Sequence, residues 1–276
     1  MSLPALTDWE VTSRSLHRAA QLLGTLRMLL LSHVPNYLEL AIKIKPEGLS
    51  TDLLPGGSEV ILDFQQGAMV VQSAAGDSFC IPLAGHNTVT LFEALLEALN
   101  ATGLTILLAD RKDSALPQPD KPDDLVPFAF DPQTASDYAT VLYTMFTGAA
   151  RFRARLTGTM TPLVVWPEHF DMSFLWFAGD QADENSPHMN FGFAPYSLGF
   201  EQPYLYAYVW PLPDGYRATQ LPPQASWHSE GWKGIVVPYH EIAAVDDPAL
   251  LVEDICLAIY AILLPLIQSR TLARQR

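Results

Sequence analysis

The first predicted helix carries a histidine and an arginine that could contact a ligand. His17 and Arg27 lie on one stripe of this helix with Ser13, Ala20 and Gly24, at spacings of four and three residues. A polar stripe broken by small residues is typical of the floor of a cleft, and it also occurs on an ordinary solvated flank. The first interpretation makes His17 and Arg27 ligand-binding residues.

Two further arginines, Arg153 and Arg155, close the third predicted helix within the sequence FRARLTG. A guanidinium fork matches the geometry of a carboxylate or a phosphate. Either arginine could therefore hold an anionic group of a ligand together with Arg27. The helix dipole alone favours cations at this end of a helix, which accounts for at least one of the two without any ligand.

The second half of the chain concentrates aromatic and ionisable residues that favour a binding site. Trp166 and Asp171 flank a predicted strand turn, and His188 follows further along the chain. Tyr206 and Tyr208 belong to an alternating run of four aromatic residues, which places the four rings on one face of a strand. Such a face most often lines a core, but with a few convergent polar groups it also suits an apolar ligand pocket.

The strong catalytic and cofactor motifs are absent from the sequence. There is no P-loop, no dinucleotide-binding G-x-G-x-x-G, no G-x-S-x-G, no HExxH and no paired CxxC. We therefore predict no metal site and assign no cofactor. The formal net charge of −14, with no basic run, argues against a nucleic acid or an anionic membrane as partner.

The hydropathy of the chain predicts a cytoplasmic protein. Its start lacks the basic and apolar segments of a signal peptide. The most apolar stretch, Ile255–Ile267, has 13 residues, whereas a membrane-spanning helix needs about 20. We interpret this stretch as a core helix.

Periodicity and capping signals predict an α+β protein of two lobes. The first lobe has a helix from Thr7 or Asp8 to Val34, strands Tyr37–Lys45, Glu59–Phe64, Ala68–Gln72 and Ser78–Pro82, a helix capped by Asn87 or Thr88 that ends at Gly103, and strand Leu104–Leu108. The second has a helix Gln133–Leu156, strands Leu163–Trp166, Asp171–Phe177, Met189–Phe193, Tyr204–Trp210 and Gly234–Pro238, and a last helix from Pro248.

The two lobes share an order of elements, in which a mostly antiparallel sheet is flanked by long helices. Each sheet ends in a strand with a proline near its end, CIPL or VVPY, followed by an apolar helix. This repetition predicts an internal duplication, and chance is the alternative. Prolines mark the division, so we predict lobes at residues 1–112 and 133–276 with a linker at 113–132, the whole forming either two domains or one compact unit.

Residues spread along the chain carry a resemblance to a known family. They are Leu6, Asp8, Trp9, Thr12, Leu16, His17, Arg27, Gly48–Thr51, Phe152–Arg155, Gly158, Pro162, Trp166, Phe170, Asp171, Phe177–Gly179, Tyr206–Tyr208, Pro211, Pro238 and Tyr239. In this order and spacing they resemble the bacterial domain of unknown function family 5996. The family is assigned no activity, so the resemblance implies no mechanism. Where this chain has Thr159 and Met189, family members carry Lys and Glu; if these belong to a catalytic set, this chain would bind the ligand without turning it over.

Three functions follow from these patterns. The first is a small-molecule-binding protein whose pocket, where the lobes meet, takes a ligand that carries an anionic group. Its site would comprise His17, Arg27, Arg153 or Arg155, Trp166, Asp171, His188, and Tyr206 or Tyr208. The second is a hydrolase or lyase in which His17 or His188 is the general base and Asp171 orients it. The third is an interaction module, whose apolar C-terminal helix docks a partner or a second copy as a homodimer.

Overall fold

The structure is a computed structural model that describes residues 2–106, 116–197, 199–212, 216 and 220–274. Contacts divide the chain into two compact units. The N-terminal unit comprises Leu6–Tyr143 with Val165–Phe170, and the C-terminal unit comprises Met1–Ala5, Thr144–Val164 and Asp171–Arg276. Each unit holds one antiparallel sheet and its helices, which confirms the α+β class. The limits predicted for a linker, and the duplication, stay predictions.

The N-terminal unit is a five-stranded meander with helices. Its elements are α1 (Glu10–Leu30), β1 (Lys43–Lys45), β2 (Gly48–Ser50), β3 (Glu59–Asp63), β4 (Ala68–Gln72), β5 (Ser78–Pro82), α2 (Thr88–Ala101) and the first half of α3 (Pro132–Arg155). The strands pair in the order β1-β2-β3-β4-β5. Leu16, Leu23 and Leu26 on α1 are fully buried, and so are Leu91, Leu95 and Leu99 on α2, as is typical of the apolar face of an amphipathic helix.

Two predicted strands of this unit differ from what the structure shows. The predicted strand Tyr37–Lys45 is wrong except for its last three residues, because Pro35–Tyr37 forms a 3-10 turn and residues 38–41 do not extend. The carbonyl groups of Leu38 and Glu39 bind the Arg27 side chain instead of a neighbouring strand. The predicted strand Leu104–Leu108 is not formed at residues 104–106, and residues 107–108 lie outside the described part of the chain.

The C-terminal unit is built on a six-stranded sheet. Its elements are the second half of α3, β7 (Asp171–Phe177), β8 (His188–Ala194), β9 (Tyr204–Trp210), β10 (Ser226–His228), β11 (Gly234–Pro238), α4 (His240–Ala243) and α5 (Pro248–Arg274). The sheet also includes β6 (Val164–Trp166), of which only Val164 belongs to this unit. The strand order is β10-β11-β9-β8-β7-β6. The alternation of side chains predicted β7 and β9 at their observed limits, whereas β10 falls in a segment that the sequence predicts as a loop.

The two faces of this sheet differ in character. On one face Phe174 and Phe191 pack against Phe152 of α3, with ring centroids 5.8 Å and 4.8 Å away. Trp176 on the same face meets Tyr260 of α5 at 5.5 Å. The opposite face carries the alternate residues of the strands and contains the polar ones; we call it the polar sheet face.

The last helix is longer and more apolar than the sequence prediction assumed. The segment Pro248–Ile267 of α5 has 20 residues and could cross a membrane by length and composition alone, which corrects the 13-residue estimate. Core helices of soluble proteins pass the same test. Val252, Ile255 and Leu263 are buried within the chain, as in a core helix.

Candidate functional site

Arg27 binds three backbone carbonyl groups of its own chain. The guanidinium is buried, and it donates to the carbonyl oxygens of Glu39 at 2.9 Å, Leu38 at 3.2 Å and Thr51. These acceptors belong to the connections after α1 and after β2. Arg27 therefore ties α1 to two loops, because its planar fork can satisfy several acceptors at once.

His17 fastens a turn of the chain to α1. Its Nε2 lies 2.9 Å from the carbonyl oxygen of Pro167 and 3.2 Å from that of Glu168, so this nitrogen must carry the proton. The ring stacks on Phe170 with centroids 5.2 Å apart. Burial lowers the pKa of His17 below its usual 6.5, with the two carbonyl acceptors opposing that shift. The histidine is therefore a neutral donor at pH 7.

Trp166 belongs to the same turn, and the two other arginines lie in the C-terminal unit. The carbonyl of Trp166 accepts from the amide of Phe170 at 2.7 Å and closes the turn. Arg153 donates through Nε to the carbonyl of Thr161 at 3.0 Å. Arg155 donates to the buried carboxylate of Glu253 at 2.8 Å. Both arginines therefore have acceptors within their own unit.

Three of the predicted site residues come together on the polar sheet face. The Tyr206 hydroxyl donates to the carboxylate of Asp171, and the Tyr208 hydroxyl accepts from Nδ2 of Asn190 at 2.9 Å. A glycine makes the first contact possible, since a Cβ at Gly192 would lie 2.4 Å from Cζ of Tyr206. The tyrosine ring crosses the intervening strand at that point to reach Asp171.

The tyrosines of the polar sheet face stay protonated over a wide pH range. Burial raises the pKa of Tyr206 well above 10, and the neighbouring Asp171 carboxylate raises it further. Burial likewise raises the pKa of Tyr208. Both hydroxyls therefore act as neutral hydrogen-bonding groups, and neither is a base at physiological pH.

His188 lies at the other end of the strands from Asp171. It pairs across the ladder with Phe177, six residues from Asp171, which corresponds to a separation of about 20 Å. Its Nδ1 lies 2.8 Å from the carbonyl oxygen of Ser186, and its ring stacks on Trp210 at 5.7 Å. Burial lowers the pKa of His188 below 6.5. His188, one of the two predicted general bases, therefore does not meet Asp171 on this face.

A cleft in the N-terminal unit contains residues that the sequence did not single out, and we call it the α1–α2 cleft. Its volume is about 240 Å³. Its lining residues come from α1, the start of α2, the segment 116–124 and the turn 167–168. They are Gln21, Leu22, Gly24, Thr25, Met28, Leu40, Thr88, Leu116, Pro117, Lys121, Asp124, Pro167 and Glu168. Of the predicted stripe on α1, only Gly24 lines this cleft.

Hydrogen bonds hold each wall of the cleft in place. His17 anchors the turn with Pro167 and Glu168, and Gly24 allows that turn to approach, since a Cβ there would lie 2.5 Å from Pro167. Arg18 anchors the neighbouring segment by donating to the carbonyls of Val126 at 2.6 Å and Pro127 at 3.0 Å. Two of the four lining segments are therefore held to α1 by hydrogen bonds of the chain itself.

The start of α2 brings a buried hydroxyl to the wall of the cleft. Asn87 caps this helix, its side chain accepting from the amide of Thr90 at 2.9 Å. Thr88 is the first residue of the helix and is 6% exposed. Within the described part of the chain, its hydroxyl has no hydrogen-bond partner. The sequence predicts Asn87 or Thr88 as the cap, of which the structure shows Asn87, and it gives no signal for the state of the Thr88 hydroxyl.

No metal centre is visible in the residues that the structure describes. None of them forms a group of three or more histidine, cysteine or carboxylate side chains that could hold a metal ion.

Comparison with known proteins gives one match. The model of a family described as "Family of unknown function (DUF5996)" matches residues 2–264, nearly the whole chain. No curated protein and no solved structure matches the chain.

Proposed function

We propose that this chain, which belongs to the DUF5996 family of unknown function, binds a small molecule in the α1–α2 cleft. The observation that carries the proposal is the Thr88 hydroxyl, which is buried at the wall of the cleft and has no partner among the described residues. An unbonded buried hydroxyl costs about 1–3 kcal/mol. A ligand that displaces the wall enough to reach this buried oxygen and bond it would recover that energy.

The composition of the cleft supports the same function. Leu22, Leu40 and Leu116 supply apolar surface, and Gln21 and Thr25 supply polar groups. Small-molecule sites commonly combine an apolar wall with a few convergent polar groups. The volume of about 240 Å³ lies just under the roughly 300–1,000 Å³ of pockets for drug-sized ligands. The ligand is therefore a small metabolite.

The arginines and the His–Asp pair have no part in this proposal. Arg27, Arg153 and Arg155 each donate to acceptors of the chain itself. An anionic ligand would have to displace those acceptors, which would then need new donors. A general base oriented by a carboxylate requires hydrogen-bond contact, and His188 and Asp171 are too far apart for it.

Fluorine NMR with a panel of fluorinated fragments tests the proposal. Gln21→Trp places an indole at an exposed position that lines the cleft. We expect a subset of fragments to bind the unmodified chain and to lose at least about tenfold in affinity in this variant.

The matched control is Val11→Trp, which puts the same ring on an α1 position that is 60% exposed and does not line the cleft. The fragments should bind this control as they bind the unmodified chain. If no fragment binds, or if both tryptophan variants behave alike, the cleft is not a binding site.

A further inference from the structure

We propose that the ligand of the α1–α2 cleft is an α-amino acid with an aliphatic side chain, an inference that rests on the proposed function. Three features of the cleft point to this class. They are two charged side chains that form no ion pair with a described residue, the position of the lysine relative to α2, and the aliphatic character of the apolar wall.

The cleft is lined by one ammonium group and one carboxylate that do not form an ion pair with each other. Lys121 and Glu168 both line it, and neither forms an ion pair with a described residue. The remaining charged residue, Asp124, is already engaged, since its Oδ2 accepts from the amide of Gln118 at 3.0 Å. A ligand with one negative and one positive group complements the two open charges.

The walls of the cleft suggest which end of the ligand meets which charge. Lys121 directly precedes a 3-10 turn, Pro122–Leu125, that packs against α2. The amino end of α2 carries a partial positive charge, and Thr88, its first residue, adds the hydroxyl with no partner in the described chain. A carboxylate suits this wall, because amide groups at a helix start and a cation both favour anions.

The other end of the ligand would face the turn that His17 holds. Glu168 lies on this turn, and its backbone carbonyl already accepts from Nε2 of His17. Its carboxylate is exposed and keeps its acceptor capacity for an ammonium group. The amino group of the ligand therefore belongs on this side.

The apolar wall is aliphatic. It is formed by Leu22, Met28, Leu40, Leu116, Pro117 and Pro167. No aromatic ring is among the described residues that line the cleft, so a flat heterocycle would find no stacking partner there. A branched aliphatic side chain fits the chemistry of this wall and the small volume.

Isothermal titration calorimetry with L-leucine, isocaproate and isoamylamine tests the inference. The last two probes are leucine without its amino group and leucine without its carboxylate. We expect leucine to bind the full chain at least about tenfold more tightly than either analogue. Lys121→Met should abolish the preference for leucine over isoamylamine, and Glu168→Gln should abolish the preference over isocaproate.

Control substitutions at exposed positions outside the cleft are Lys233→Met and Glu93→Gln, which should leave all three affinities unchanged. The inference is overturned if leucine does not bind, or if it binds no better than its analogues. Should the analogues bind and lose that binding in Gln21→Trp, the cleft remains a binding site and only the amino-acid class is wrong. If Gln21→Trp leaves fragment binding unchanged, both the proposed binding function of the cleft and the amino-acid class of the ligand are wrong.

Discussion

The polar sheet face of the C-terminal unit and the α1–α2 cleft of the N-terminal unit both bring polar side chains to buried positions, but they treat them differently. On the sheet face the groups bond to each other: Tyr206 to Asp171, and Asn190 to Tyr208. Oδ1 of Asn190, however, has no partner among the described residues. In the cleft, the buried hydroxyl of Thr88 has no partner among the described residues, and Lys121 and Glu168 form no ion pair with one of them.

Residue type therefore does not separate a binding site from an internal network. The aromatic and ionisable residues of the sheet face are among those that the sequence predicts as site residues. Their groups mostly satisfy one another, as polar groups inside proteins generally do. The cleft is lined by less conspicuous residues, and it is distinguished by the open space of about 240 Å³ beside them.

The largest expected effect comes from breaking the network on the sheet face. Tyr206→Phe removes the donor to the buried Asp171 carboxylate, and hydrogen bonds to charged groups contribute about 1.5–3 kcal/mol. We expect the free energy of unfolding to fall by about 2–3 kcal/mol, measured by urea denaturation. If ligand binding were the purpose of this tyrosine, the loss would be in binding with little change in stability.

Tyr37→Phe provides the control for that measurement. Tyr37 is 53% exposed, so removal of its hydroxyl should change the free energy of unfolding by no more than about 0.5 kcal/mol. Equal effects of the two substitutions would contradict a structural role for the Asp171–Tyr206 contact and would reopen the sheet face as a candidate site.

A smaller effect, of opposite sign, is expected at the cleft. Thr88→Val keeps the shape of the side chain and removes a hydroxyl without a partner in the described chain, so the unliganded protein should gain about 1 kcal/mol in unfolding free energy. The same substitution at buried Thr51 should cost about 1–3 kcal/mol, because its hydroxyl donates to the carbonyl of Asp52 and accepts from the amide of Val60.

The two substitutions should change the free energy of unfolding in opposite directions. Both threonines lie in the N-terminal unit and both are buried, so the substitutions differ mainly in whether the hydroxyl is bonded. Loss of stability in Thr88→Val similar to that in Thr51→Val would mean that the Thr88 hydroxyl is bonded in the folded protein. The observation that carries the proposed function would then be gone.

The sequence predicted the elements well because their signals are local. Asn87 at the start of α2 and the alternation of β9 both depend on neighbours within a few residues. The alternation of residues 37–45 is equally local, but there Arg27 binds the backbone carbonyls and prevents a strand. A buried cation with several acceptors outweighs a weak strand preference.

The candidate site was less predictable because it depends on contacts between distant segments. The stripe on α1 includes Gly24, whose lack of a side chain admits Pro167, more than 140 residues later in the sequence. Lys121 was assigned to a linker, since prolines around it predict an extended segment. No sequence pattern shows that the Thr88 hydroxyl lacks a partner, because that depends on everything packed around it.

The smallest expected effect is on the pH dependence of stability, and it draws on one histidine from each unit. Burial lowers the pKa of both His17 and His188 below 6.5 in the folded chain. As the pH falls through 6.5, the unfolded chain takes up protons that the folded chain does not, so the free energy of unfolding decreases. The decrease stops below the folded-state pKa values.

His17→Gln and His188→Gln should each remove part of this dependence between pH 7 and pH 5, by at most about 1.4 kcal/mol per pH unit for each histidine. Glu39 does not interfere: although burial opposes the shift, the bond to His33 and other hydrogen bonds lower the pKa of Glu39, so its contribution is lost only below pH 4.5. Urea denaturation at several pH values measures the slope. If one variant keeps the full pH dependence of the unmodified chain, the histidine replaced in it does not contribute to that dependence. The folded chain would then accommodate the charged form of that ring as well as the neutral form.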